Sequence, residues 1–211
     1  MSVSSHHVNT GPSPWVKSCV ERLNASIQPT QQSLGSGLGI QTLRALDLAC
    51  GAGRHSRYLA AQGFEVHAVD RQIPPEPLGA GVTFTQLDLE QTDAEMQVWP
   101  LPSDAYDLIV VTNYLYRPAF HHLLESLKPG GVLVYETFMD GNAQFGSPKN
   151  PDFLLRAGEL LDLTKPLQVL AFEQGLRVEP SMAMIQRVMC IKGDWTEIQS
   201  RTHLENSFTK K

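Results

Sequence analysis

The chain has 211 residues, 42% of them apolar, enough for one substantial core and short for two. Its formal charge of −5 gives no electrostatic reason to expect a nucleic-acid partner, because a basic face is what neutralises a phosphate backbone. No stretch approaches the roughly 18 apolar residues of a membrane span, and the opening residues lack the apolar run of a secretory leader, so no membrane partner is expected.

In chain order, Trp15, Val16, Cys19, Val20, Leu23 and Ile27 recur at helical spacing behind Ser13, a cap candidate, and Pro14. This predicts a docking helix over 14–27. Residues 29–39, rich in Gln, Ser and Gly, read as a flexible connector, so 1–40 are a helix plus linker ahead of the main domain. From Leu43 short apolar runs alternate with helical segments, the pattern of βαβ units and a parallel sheet. Strands are predicted at 43–48, 64–69, 82–87, 108–112 and 132–137. Pro74, Pro75 and Pro77 oppose a helix in the second connection. Phe120, Leu123, Leu124 and Leu127 fall at i, i+3, i+4 and i+7 and give the fourth connection a helix, closed by a Lys128-Pro129-Gly130-Gly131 turn. A Gly- and Pro-rich loop follows Phe138, then a helix around 159–163 and strands at 168–172 and 183–191. The domain is therefore 41–193, with a polar tail over 194–211.

The densest chemical signal is Asp47-Leu48-Ala49-Cys50-Gly51-Ala52-Gly53-Arg54, which ends the first strand and opens a helix carrying Tyr58 and Leu59. A turn that brings backbone amides against a ligand needs small residues, and Ala49, Gly51 and Gly53 give that clearance. Asp47 places negative charge where a cationic ammonium would sit, which suits the methionine moiety of S-adenosylmethionine (SAM) better than a pyrophosphate. Asp70 closes the second strand, with Arg71 beside it, and a carboxylate there accepts both hydroxyl protons of a ribose. Asp88 and Leu89 close the third, placed to accept from an adenine amino group and to pack on its ring. Three acids at three successive strand ends make one ligand-shaped row.

This run resembles the class I SAM-dependent methyltransferases over roughly 43–192, and Leu46 to Ser56 is similar to the small tellurite-resistance-type bacterial methyltransferases. The resemblance implies a Rossmann-like α/β sheet of seven strands in the order 3-2-1-4-5-7-6, the last antiparallel, with helices on both faces. It also implies SAM contacts from the Asp47–Gly53 loop, Cys50 included, ribose binding by Asp70, adenine binding by Asp88 and Leu89, and S-adenosylhomocysteine (SAH) as product. Arg54, Arg71 and Asn113 complete the candidate cofactor contacts. A nicotinamide or flavin domain fits less well, because Ser56 stands where the dinucleotide fingerprint has its third Gly or Ala.

Ligands of open α/β sheets lie outside the carboxyl ends of the strands, so Tyr114, Tyr116, Arg117 and Phe138 are candidates for the acceptor side, with Glu136 as a general base. Asn113-Tyr114-Leu115-Tyr116 departs from the Asn-Pro-Pro-Tyr of amino-directed methyltransferases. The stretch 138–152, with Phe145 and Phe153, is expected to cover the donor together with the Trp15 helix. No metal-ligand spacing is present, and three cysteines, Cys19, Cys50 and Cys190, without CxxC spacing suit reduced thiols in a cytoplasm. The function expected is methyl transfer to a small-molecule acceptor by a monomer or homodimer. The alternatives are an RNA or protein acceptor for the same core, or a SAM-binding regulator without catalysis.

Overall fold

Runs such as Arg44–Leu48 and Tyr106–Thr112 bury successive residues on both sides, a pattern that fits a parallel sheet covered on both faces. The computed structural model describes residues 11–33, 42–90 and 99–193. Its seven strands are β1 (Arg44–Leu48), β2 (Glu65–Asp70), β3 (Val82–Gln86), β4 (Tyr106–Thr112), β5 (Leu127–Phe138), β6 (Gln168–Arg177) and β7 (Ala183–Ile191). They lie in the order β3-β2-β1-β4-β5-β7-β6, with β7 antiparallel to both its neighbours, as the resemblance implied.

Helices α1 (Pro14–Ser33) and α2 (Arg54–Ala61) cover one face. There Trp15, Val16, Cys19, Val20 and Leu59 pack on Ala45, Val66, Leu108, Val110, Val134 and Met189. Helices α3 (Phe120–Ser126) and α4 (Glu159–Leu163) cover the other, with Phe120, Leu123, Leu124 and Leu160 over Leu46, Ile109, Val111, Leu133, Tyr135 and Val188. The alternation of side chains along each strand decides which residue meets which layer. No helix of the described residues is long and apolar enough to cross a membrane.

Three expectations need correction. The first helix runs on through Pro29 to Ser33, since one proline removes a single donor and the glutamines after it are good helix formers; the rest of the connector, 34–41, lies outside the described residues, as do 1–10, 91–98 and the tail 194–211. The Lys128-Pro129-Gly130-Gly131 turn is instead the start of β5. Gly130 N donates to Lys192 O and Lys192 N to Gly131 O, while the pairing with β4 shifts register between Tyr106 and Leu108. A side chain at Gly131 would press on the carbonyls of Lys128 and Tyr106 at 2.8 and 2.9 Å, which is why glycine stands there. Strand β6 extends five residues beyond Phe172, to Arg177, because antiparallel pairing with β7 carries it past the apolar stretch. The proline-bearing connection 71–81 contains no helix, in keeping with its three prolines.

Candidate functional site

A cavity of about 300 Å³ lies at the carboxyl ends of the strands, beside the point where β1 neighbours both β2 and β4 and the strand order reverses. Of the residues picked from sequence, Ala49, Asp70, Arg71, Asp88, Leu89, Asn113, Tyr114 and Phe138 line it. Val69, Leu87, Glu90, Leu115, Thr137, Pro148 and Phe153 complete the wall. Asp47, Cys50, Gly51, Gly53, Arg54, Tyr116, Arg117 and Glu136 lie outside that lining.

The loop after β1 is shaped by left-handed backbone at Ala49 (φ +56°), Gly51 (φ +55°) and Gly53 (φ +76°). Ala49 carries a Cβ there, a conformation that costs roughly 1–2 kcal/mol and persists only where the surroundings impose it. Cys50 N donates to Val69 O at 3.0 Å and Gly51 N to Asp70 Oδ2 at 2.8 Å, so the loop is tied to the end of β2. Asp70 Oδ1 accepts from Gln72 N at 2.8 Å. Each Asp70 oxygen thus keeps one lone pair, and the fixed carboxylate can accept two further hydrogen bonds. Asp88 Oδ1 accepts from Glu90 N at 3.0 Å, which leaves its other oxygen for an amino group. Val69, Leu87, Leu89 and Leu115 make the apolar wall that an adenine ring requires. This donor set fits SAM.

Beneath the loop, Asp47 is fully buried and accepts from Ser56 Oγ at 2.5 Å. Burial raises its carboxyl to about 7, with Ser56 opposing the rise. It therefore orders the loop through α2 and does not face the cavity. Burial also pushes the Cys50 thiol up to about 12, which keeps it protonated and unsuited to nucleophilic work. His55 is lowered to about 3, first by burial and then by Arg54, so it is neutral. Its Nε2 accepts from Ser13 N at 3.1 Å, which assigns the proton to Nδ1, 3.4 Å from Thr112 Oγ1.

On the acceptor side, burial, then Glu90 and Asp88, hold the Tyr114 phenol above its ordinary range, so it stands protonated on the cavity wall. Phe138, Pro148 and Phe153 form the apolar part of that wall, whereas Phe145 lies off it. Arg117, expected to meet the acceptor, is engaged elsewhere. Its Nε and Nη2 donate to the two oxygens of Glu159 at 2.6 and 3.0 Å, and Nη1 and Nη2 donate to Asp152 O and Leu154 O at 2.7 and 2.8 Å. It braces the segment that carries Phe153. Glu136, expected as a base, is buried on the α1 face, where Ser13 Oγ donates to Oε1 at 3.1 Å and Arg177 and Arg187 approach Oε1 and Oε2 at 3.4 Å. A carboxylate so engaged is a structural anion, not a free base. Tyr116 is half-buried just before Arg117. Sequence reasoning missed the Ser13–His55–Glu136–Arg177–Arg187 cluster, and no local pattern marked it, because its members come from five separate segments.

A family model described as "Methyltransferase domain" matches residues 6–177 of this chain. A malonyl-[acyl-carrier protein] O-methyltransferase of Salmonella typhimurium is 31% identical over 108 residues, which span 49% of this chain and 42% of that protein. The structure of TehB from Haemophilus influenzae superposes with a TM-score of 0.57 at 18% identity, covering 80% of this chain and 62% of TehB. An S-adenosylmethionine-dependent methyltransferase from Mesorhizobium loti does so with a TM-score of 0.54 at 17% identity, covering 81% and 100%.

Proposed function

Starting from a chain that belongs to the methyltransferase-domain family and uses SAM as its methyl donor, we propose that it methylates a small-molecule acceptor bound between the cofactor loop and the Phe138–Phe153 wall. The observation that carries this reading is the cavity itself. It joins a polar half suited to the nucleoside, with Asp70 and Asp88, to an apolar half with Phe138, Pro148 and Phe153, and its size suits small molecules. The net charge of −5 supports the same choice over a nucleic-acid acceptor. The Salmonella relative's name makes an oxygen nucleophile the first class to screen.

When bound, SAM would supply a sulfonium methyl to an acceptor lone pair, the carbon–sulfur bond breaking with its electron pair left on sulfur and any acceptor proton released to solvent as the product leaves. The chain's part is to place and enclose. Asp70 takes the ribose hydroxyls and Asp88 the adenine amino group, and the small residues of the Ala49–Gly53 loop leave room for the methionine end. Asp47 and Ser56 hold that loop's geometry from below. Tyr114 and Thr137 orient the acceptor at the strand ends, and Phe138, Pro148 and Phe153 exclude water. With Glu136 engaged by two arginines, the reaction runs without a dedicated base.

Transfer of label from methyl-labelled SAM into metabolite, tRNA and protein fractions tests the proposal. Label confined to the small-metabolite fraction is expected. Label only in tRNA or protein overturns the small-molecule assignment, and SAH binding without any transfer would favour a regulator.

A further inference from the structure

The cavity divides by charge. Asp70, Arg71, Asp88 and Glu90 stand at or just after the ends of β2 and β3, in the half assigned to the nucleoside. The other half, formed after β4, at the end of β5 and by the 148–153 segment, holds Tyr114, Leu115, Thr137, Phe138, Pro148 and Phe153. Its one titratable group, the Tyr114 phenol, is kept protonated by burial and then by Glu90 and Asp88. The charged residues nearest to it in sequence are spent elsewhere, Arg117 on Glu159 and Glu136 on the two arginines of the α1 face. Among the described residues this half is therefore built from rings, apolar surface and two hydroxyl side chains, with no free charge. Its members are also fixed from behind. Tyr135 Oη donates to Tyr114 O at 2.6 Å, and Leu155 N donates to Phe138 O at 3.0 Å. The buried Asn142 donates from Nδ2 to Pro148 O at 3.2 Å, and Arg117 donates to the carbonyls of Asp152 and Leu154 on either side of Phe153. A wall held in this way is preorganised, so its chemistry selects what enters.

Acceptors of different charge meet this half differently. An anion would shed its water in a cavity that holds three carboxylates, Asp70, Asp88 and Glu90, against the single guanidinium of Arg71. An ammonium has no lone pair to give. A neutral ring loses little hydration and gains contact with Tyr114, Phe138 and Phe153, because aromatic groups attract one another in offset and edge-to-face arrangements. We propose that the acceptor is an uncharged aromatic ring that carries the nucleophilic oxygen or nitrogen, with Phe138, Pro148 and Phe153 selecting the ring and the Tyr114 phenol as the hydrogen-bond partner of the nucleophile. In the transfer that atom gains the methyl as the carbon–sulfur bond breaks onto sulfur, and its O–H or N–H proton goes to solvent. The products are the neutral methylated ring, SAH and one proton. The proposal deepens the small-molecule reading and rests on it for the place of the cofactor.

The SAH-saturated full chain is titrated at neutral pH and constant ionic strength by ligand-observed NMR. The probes are the neutral rings 4-methylphenol and 4-methylaniline, the saturated ring 4-methylcyclohexanol, and the charged rings 4-hydroxybenzoate and tyramine. A neutral aromatic probe is expected to bind roughly three- to tenfold tighter than 4-methylcyclohexanol, the equivalent of one or two aromatic contacts, and tighter than either charged ring. Whichever of 4-methylphenol and 4-methylaniline also takes label from methyl-labelled SAM supports the proposal and assigns the nucleophile as oxygen or nitrogen. Phe153→Leu keeps apolar bulk at an exposed position and removes the ring, so it should erase most of the aromatic preference while SAH affinity stays within about twofold. Phe138→Leu, on a separate element, gives the same reading should the first variant misfold. The proposal is overturned if the saturated ring or a charged ring binds as tightly as the neutral aromatic probes, or if both variants keep the wild-type preference. Label entering only tRNA or protein would instead sink the small-molecule reading, whereas label in the metabolite fraction without any preference for neutral rings sinks this proposal alone.

Discussion

Replacing Arg117 by alanine tests whether that residue braces the wall of the site. Its guanidinium makes four hydrogen bonds of 2.6–3.0 Å, two to Glu159 and two to the carbonyls of Asp152 and Leu154. The Glu159 side chain is only 5% exposed, so removing its partner leaves a carboxylate with little water. The bond from Arg117, followed by the bonds from Arg156, holds the Glu159 carboxyl at about 2 against an ordinary 4.5. A shift of that size corresponds to about 3 kcal/mol, and because Arg117 itself is 34% exposed, solvent screening brings the expected loss to about 2–3 kcal/mol. For a domain of this length the melting temperature should fall by roughly 5–10 °C. Glu159 has a folded value below its unfolded one, so its contribution is present above about pH 4.5 and is lost as pH falls towards 2. Urea denaturation at pH 7 and pH 3 should therefore show the wild type losing more stability on acidification than Arg117→Ala. Hydrogen exchange should quicken over 152–159, and SAM affinity should stay within about twofold, because Arg117 lies off the cavity lining. A melting temperature within 2 °C of wild type and unchanged exchange would refute the brace, and a large loss of SAM affinity would return Arg117 to the ligand.

Asp70→Ala should weaken SAM binding by about 1.5–3 kcal/mol by calorimetry, with Asp70→Asn milder; wild-type affinity in the alanine variant would remove Asp70 from the ribose site. Gly53→Ala combines φ +76° with a Cβ that collides with Leu78 Cδ2, so it should cost about 1–3 kcal/mol in denaturant and weaken SAM binding. Asp47 has the opposite sign to Glu159: its folded value of about 7 exceeds its ordinary 3.8, so its contribution is full below pH 3.8 and is lost as pH rises through 7. Asp47→Asn should flatten the stability profile between pH 5 and 8, and a profile parallel to wild type would show that Asp47 does not titrate there.

Glycines, strand-end acids and the period of apolar residues are local features, and from them the sequence yielded the βαβ order and the cofactor; of its row of three acids, Asp70 and Asp88 line one cavity and Asp47 does not. Helix α4 and strand β7 fell at their observed bounds for the same reason, since each is an apolar-rich segment bounded by Gly or Pro within a few residues. What a single segment does not encode is its partner. The Lys128–Gly131 stretch has the chemistry of a turn, and it bulges past β4 between Leu127 and Val132, yet it is drawn into β5 because Lys192 offers a donor and an acceptor at that height. Asp47 carries the residue type of a ligand contact, and only the seating of α2 with Ser56 over it sends it beneath the loop. Arg117 lies in the connection after β4 and Glu136 near the end of β5, on the side of the sheet where a ligand was expected. Their side chains are nevertheless committed to Glu159 and to Arg177 and Arg187, residues 41 to 51 positions away in sequence. Desolvation makes an unpaired buried charge so costly that packing selects the partner first, and a choice between distant partners exists only once the layers have closed.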